Sequence, residues 1–202
     1  MKKVTLLVSC LFLLTLLVSA RWMASPAPQD GQEMIDPSEA SMAIDLSMDE
    51  LINASSLIAI GRCVGTQSTW VDRSLVTLAK VSVNEVLKGD GASEITVVLP
   101  GGVDANRQFP IAMTYPGAPR ITPDENVFLF LSNESEVPSA YTIMGFSQGK
   151  FSIVKDDQGR DVVSRDLTRM GLQSGRGVRR GGVNTAPLSD FRGNVLRKLR
   201  RQ

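Results

Sequence analysis

The sequence contains no histidine. That removes the side chain most used near neutral pH as general base, proton shuttle and zinc ligand. Cysteine is nearly as scarce, with only Cys10 and Cys63. Cys10 lies inside an apolar N-terminal run, so once that run is removed Cys63 stands alone and no intrachain disulfide forms. A lone thiol of this kind reads first as a small buried apolar residue. With no histidine and a single mature cysteine the usual zinc sites cannot be built, and neither a metal nor a cofactor is expected.

The long apolar run that is present carries an address. Met1-Lys2-Lys3 is a positive start, Val4 to Val18 is almost wholly apolar, and Val18-Ser19-Ala20 offers small residues for signal peptidase. The run is slightly short for a spanning helix of about 20 residues. Cleavage near Ala20 is therefore favoured over a retained anchor, and over lipidation at Leu7-Val8-Ser9-Cys10. Export to the periplasm or the extracellular space is the expectation.

The net charge of +1 conceals a split. Residues 21–168 carry 11 Lys/Arg against 20 Asp/Glu, whereas residues 169–202 carry 9 Lys/Arg against Asp190 alone. An acidic body with a basic tail follows. Residues 21–45, with Pro26, Pro28, Gly31 and Pro37, read as a flexible leader. Ser47 and Glu50 form a capping box with Leu46 and Leu51 at the staple positions, which predicts a short helix ending near Ser55.

Strand signals then run to residue 168. Leu57 to Thr69 is followed by a turn at Trp70-Val71-Asp72-Arg73. Leu75 to Leu87 changes the phase of its apolar alternation midway, as bulged strands in a curling sheet do. Glu94 to Leu99 stops at Pro100-Gly101-Gly102. Asn126 to Leu131 is apolar on both faces and so central. Tyr141 to Phe146 and Lys150 to Val154 read as a pair around Gln148-Gly149, and Asp161 to Ser164 returns across Asp156-Asp157-Gln158-Gly159. Five or more strands with one short helix favour a small barrel or sandwich over residues 46–168. Residues 169–186 read as a Gly/Arg-rich linker. Residues 187–202 read as a basic amphipathic helix, with Leu188, Phe191, Val195 and Leu199 on one face and Arg192, Arg197, Lys198, Arg200 and Arg201 flanking it.

Several motifs imitate known chemistry. Gly145-Phe146-Ser147-Gln148-Gly149 fits G-x-S-x-G, but a nucleophile elbow requires a helix after the serine and a histidine to take its proton. Here a strand pattern follows, and only Lys150 or Lys155 is near to serve Ser147. An envelope serine hydrolase using Ser147 is thus a secondary reading, and the glycines read as a tight β-hairpin. Asp156 to Asp161 lacks the ligand spacing of a helix-flanked calcium loop. Arg176 to Gly182 resembles Arg–Gly segments that bind RNA, yet no aromatic interleaves it and no nucleic-acid partner is expected. The basic helix either packs on the acidic domain or lies on an anionic membrane surface.

Three segments taken in order carry a resemblance: Ile58-Ala59-Ile60-Gly61-Arg62-Cys63-Val64, then Val81-Ser82-Val83-Asn84-Glu85-Val86-Leu87-Lys88-Gly89, then Glu125-Asn126-Val127-Phe128-Leu129-Phe130. Over residues 50–165 the order resembles uncharacterised exported bacterial proteins and, more distantly, the netrin-like modules of tissue inhibitors of metalloproteinases. The resemblance implies a five-stranded, partly open Greek-key barrel of the oligonucleotide/oligosaccharide-binding (OB) type. Those inhibitors hold the protease zinc through a mature N-terminal cysteine, whereas this mature chain begins near Arg21 with none. Zinc-directed inhibition therefore does not carry over.

The functional expectation is a non-catalytic exported binding module whose partner is another envelope or extracellular protein. A protease-inhibitor-like protein lacking the chelating cysteine and a membrane-surface protein held by the basic helix are the alternatives. The long connection 100–124, with five prolines and three glycines, is the place to look. Its Arg107, Phe109, Tyr115 and Arg120, beside Trp70, are residue types enriched at binding hot spots. Against this stands the possibility that Phe109 and Tyr115 merely plug a barrel end.

Overall fold

A computed structural model describes residues 40–201. The signal segment 1–20, its cleavage site and most of the leader lie outside the described residues. Within them the chain is mainly β, with thirteen strands and two helices.

The strands are β1 (Ser41–Ile44), β2 (Leu57–Val71), β3 (Ser74–Lys88), β4 (Glu94–Pro100), β5 (Gly102–Asp104), β6 (Ile111–Met113) and β7 (Asn126–Ser132). They continue as β8 (Ala140–Ile143), β9 (Lys150–Lys155), β10 (Asp161–Asp166), β11 (Met170–Ser174), β12 (Gly177–Arg180) and β13 (Val183–Pro187). The helices are α1 (Met48–Ala54) and α2 (Leu188–Leu199).

The large sheet runs β13-β10-β9-β7-β2-β3-β4-β8. The strand β8 pairs parallel with β4 and antiparallel with β7. The pairings of β2, β3, β4, β8 and β7 consequently close into a circuit, from which β9, β10 and β13 extend. Coiling of this kind needs breaks in register, and the β2–β3 ladder has three, at Ile58/Ala59, Ile60/Gly61 and Cys63/Gly65. Val81 and Val83 face the core of the circuit, whereas Leu87 packs on the helix side although its number is also odd. The bulge near Asn84 turns the strand over, as the phase change in its sequence predicts.

The strand β7 is buried on both faces. Val127, Leu129 and Leu131 point into one core with Ala59, Cys63 and Val97. Phe128 and Phe130 point the other way, into a second core capped by α1 and α2. The capping box of α1 is present, with Glu50 N 3.3 Å from Ser47 Oγ and Ser47 N 2.7 Å from Glu50 Oε2. At its other end Lys88 donates to the carbonyls of Ile52 (2.6 Å) and Asn53 (3.1 Å), neutralising the helix C-terminus. Gly89 follows with φ 82°, and a Cβ there would run into Ser56 O. The Lys-Gly pair thus ties the end of β3 to the end of α1.

Four expectations are corrected. The leader does not extend to residue 45, because Ser41–Ile44 joins β11 in a parallel pair. Residues 169–186 are no linker: β11 and β12 form a hairpin, and β13 adds to β10. The glycines and arginines of β12 and β13 are compatible with short edge strands, where one side of each strand meets solvent, whereas β11 lies between β1 and β12. Trp70 and Val71 belong to β2, so the turn is Asp72-Arg73 alone. Finally, β8 and β9 are not a hairpin, since both lie along the same edge of β7. Between the pairs Leu131–Ile143 and Leu129–Lys150 only Phe130 intervenes on β7, against Met144 to Gly149 opposite. Residues 145–148 are extruded as a turn closed by Gly149 N to Met144 O at 2.9 Å, with Gly145 and Phe146 both left-handed.

Candidate functional site

The connection 100–124 is ordered by glycine contacts and side-chain hydrogen bonds. A Cβ on Gly102 would sit 2.6 Å from Ser68 Oγ and 2.9 Å from Thr77 Oγ1, so only glycine lets the chain lie this close to the β2–β3 hairpin. Thr77 Oγ1 donates to Gly101 O at 2.8 Å and Val103 N donates to Ser68 Oγ at 3.1 Å. The chain then makes the β5–β6 hairpin and returns, giving Ile121 to the core. In between, residues 116–117 are pinned from two sides. Ser41 Oγ donates to Pro116 O at 2.6 Å, and Ser147 Oγ donates to Gly117 O.

This folding divides the five predicted binding residues into two groups. Trp70 and Arg107 meet on Asp104: the indole Nε1 donates at 2.8 Å and the guanidinium Nε at 2.9 Å, with the guanidinium 5.4 Å from the indole centroid. Hydrogen bonds from Trp70 and then Arg107 hold the Asp104 carboxyl below its ordinary pKa. Phe109, at 77% exposure, plugs nothing. Tyr115 and Arg120 stand elsewhere, on a cleft of about 360 Å³ between residues 115–120 and the β9–β10 pair.

The walls of that cleft bring together groups distant in sequence. From β9 come Lys150 and Ser152, two residues apart and so on one face of the strand. Lys150 Nζ lies 2.5 Å from Glu125 Oε1 and 2.7 Å from Ser152 Oγ, which in turn donates to Glu125 Oε1 at 2.7 Å. Burial alone would raise the Glu125 carboxyl, but hydrogen bonds from Lys150, Thr122 N and Ser152 leave it net below the ordinary range. Ser164 and Asp166 line the cleft from β10, and Arg169 follows them. Asp166 accepts from Thr168 N at 2.9 Å and Thr168 Oγ1 at 2.7 Å, and these bonds lower its pKa. Lys150, Ser152, Ser164 and Arg169 were not among the predicted binding residues. The alternation of polar residues at 150 and 152 is a visible signal, but its neighbours come from other strands.

Arg165 has a different setting. Its guanidinium stacks on Phe151 at 4.7 Å and donates to Gln148 O at 2.7 Å, while its buried Nε has no acceptor. Burial pushes its pKa down.

Ser147 is not arranged as a nucleophile. It is buried, its hydroxyl is held by Gly117 O, and β9 rather than a helix follows it. Lys150 is engaged by Glu125 and Ser152. Cys63 is buried within β2, where burial raises its thiol pKa and Sγ lies 3.5 Å from Gly65 O. Among the described residues no group of three His, Cys, Asp or Glu could hold a metal.

The basic helix packs its apolar stripe. Phe191 meets Phe128 edge-on at 5.0 Å, and Val195 is fully buried. Arg192 pairs with Glu85 and Lys198 with Asp49, while Arg197, Arg200 and Arg201 are exposed around the last turn. Among the described residues the acidic body thus supplies the counter-charges for two of the five cations.

Neither a protein-family model, nor a curated protein, nor a solved structure matches this chain.

Proposed function

We propose that this chain is a non-catalytic binding module acting outside the cytoplasm on an envelope or extracellular partner, and that Tyr115 and Arg120 mark its ligand seat. The observation that carries the reading is how the long connection is used. It gives Ile121 to the core but leaves Tyr115 and Arg120 on an open polar cleft, held in place by Ser41 and Ser147. A loop tied down at this many points is preorganised, which reduces the entropy cost of binding.

The scaffold is read as an OB-like five-stranded Greek-key barrel. Its support is the closed circuit of pairings, the parallel β4–β8 contact and the bulged, coiled β2–β3 ladder. The netrin-like resemblance is followed for the scaffold only, because Cys63 is buried in a strand and offers no thiolate to a protease zinc. The non-catalytic reading draws on the engagement of Ser147 and Lys150 by other groups. Export rests on residues 1–20 of the sequence. A membrane-surface role through α2 is less favoured, since the apolar stripe it would insert is packed on Phe128, Phe130 and Phe151.

Capture from native envelope extract by the tagged mature chain tests the reading. A component retained by the wild type and lost with Tyr115→Ala/Arg120→Ala is expected. Identical capture by both proteins overturns the assignment of the seat.

A further inference from the structure

We infer that the cleft takes a tetrahedral oxyanion group, of the phosphate or sulfate class, carried by its ligand. This rests on the proposed binding role of the same cleft and adds the chemistry of what binds there.

Of the two carboxylates beside the cleft, Glu125 is engaged through both oxygens and Asp166 through one. Glu125 receives Lys150, Ser152 and Thr122 N, the last at 2.9 Å. Asp166 receives Thr168 N and Thr168 Oγ1 on Oδ1 alone, which leaves Oδ2 without a partner among the described residues. The Gly117 carbonyl receives Ser147. The donors, in contrast, are open. Arg120 and Arg169 are both exposed, and neither side chain makes an ion pair or hydrogen bond among the described residues. Tyr115 and Ser164 line the same cleft, and neither hydroxyl makes a hydrogen bond among the described residues. The one unpaired carboxylate, Asp166, is outnumbered by the guanidinia of Arg120, Arg165 and Arg169 on the same walls, so the seat keeps a positive balance and is complementary to a ligand made of acceptors.

The number and origin of those donors select the class. One guanidinium fork satisfies a planar carboxylate. Here two guanidinia arrive from different elements, one on the 115–120 segment and one beyond β10, with hydroxyls besides. That arrangement suits an anion with three or four outward oxygens and more than one negative charge. Lys150 adds little net field, because Glu125 neutralises it at close range. The cleft is also larger than a bare ion, so the oxyanion is a group on a larger molecule or a free ion with its waters.

The test is a titration of the mature protein with inorganic phosphate, inorganic sulfate and glycerol 3-phosphate at fixed ionic strength, with chloride as the reference. Amide NMR shifts give the saturation curve. Co-sedimentation with phosphatidylglycerol vesicles asks whether a lipid headgroup is the source of the group. Saturable shifts at residues 115–120 and 164–169 are expected, weakened at least ~10-fold in Arg120→Gln/Arg169→Gln, as for loss of a charge-assisted hydrogen bond. Arg169→Gln alone provides a milder variant should the double one unfold. Saturable binding of any of the four probes with that arginine dependence supports the inference, and the tightest identifies the source. No saturation beyond chloride, or saturation indifferent to both variants, overturns it. If the oxyanion fails while envelope capture still depends on Tyr115 and Arg120, the binding role stands and only its chemistry falls.

Discussion

Lys150 Nζ and Glu125 Oε1 lie 2.5 Å apart, and the Ser152 hydroxyl bridges them. The pair joins β9 to the residue that enters β7, and Lys150 and Ser152 line the cleft. The carboxyl of Glu125 has its folded-state pKa lowered by these partners despite burial that would raise it. The unfolded chain then binds the proton more readily, so this group contributes stability above the unfolded pKa of about 4.3. That contribution is lost as pH falls through the lower folded value. Urea denaturation between neutral and acid pH is expected to show this loss, and Glu125→Gln to flatten it. At neutral pH the same substitution should cost about 1–2 kcal/mol, allowing for partial solvent screening. An unchanged pH profile in the variant would remove Glu125 from the account.

Phe191 is the anchor of α2. Its ring lies 5.0 Å from Phe128 at 88° and 4.7 Å from Phe151 at 51°. Edge-on and tilted aromatic contacts add to the apolar area that the helix buries. Phe191→Ala is expected to destabilise by about 3 kcal/mol, and to release α2 from the Phe128–Phe130 face. Loss of helical circular dichroism before the main transition would show that release. A variant as stable as the wild type would mean that α2 is held by its ion pairs instead.

Local chemistry in this chain was legible where a residue's partners are close in sequence. Ser47 and Glu50 announce α1, and the doubly apolar pattern from Val127 to Leu131 announces a strand between two cores. The phase change in β3 announces its bulges. The same reading fails for β1, whose four residues gain meaning only beside Met170 to Gln173 at the far end of the chain. It fails again for β12 and β13, because short exposed strands need few apolar residues and so resemble linkers, and for β11, whose buried Met170 and Leu172 are too few to show a period. The site follows this division. Tyr115 and Arg120 are visible as unusual residues in a long connection, but Arg169 becomes relevant only once β10 lies against β9. Trp70 and Arg107 did come together, at Asp104, but away from the cleft.

Gly61 lies at one of the register breaks that coil β2 around β3. A Cβ at this position would collide with Ser82 O and come within 2.7 Å of Val81 Cγ1. The first obstacle is backbone, which cannot rotate away. Gly61→Ala is therefore expected to cost about 1–3 kcal/mol through overpacking, whereas Gly65→Ala, with open space around its Cβ, should cost much less. Thermal denaturation of the two variants side by side checks this. Equal midpoints would mean that the β2–β3 ladder shifts easily, and the tight coil of the sheet would lose its physical basis.

Ser147 gives the clearest separation between a binding module and a hydrolase. Its hydroxyl is buried and donates to Gly117 O, so it ties the 145–148 turn to the segment that carries Tyr115 and Arg120. The mature protein should remain unlabelled by a serine-reactive fluorophosphonate, because among the described residues the Ser147 hydroxyl is bonded to Gly117 O and to no base. Ser147→Ala should destabilise by about 1 kcal/mol, the net worth of one neutral hydrogen bond. It should also weaken ligand capture by loosening residues 115–120 without touching any ligand directly. A strong label that disappears in Ser147→Ala would reverse the order of the two readings, since only an activated oxygen reacts in this way.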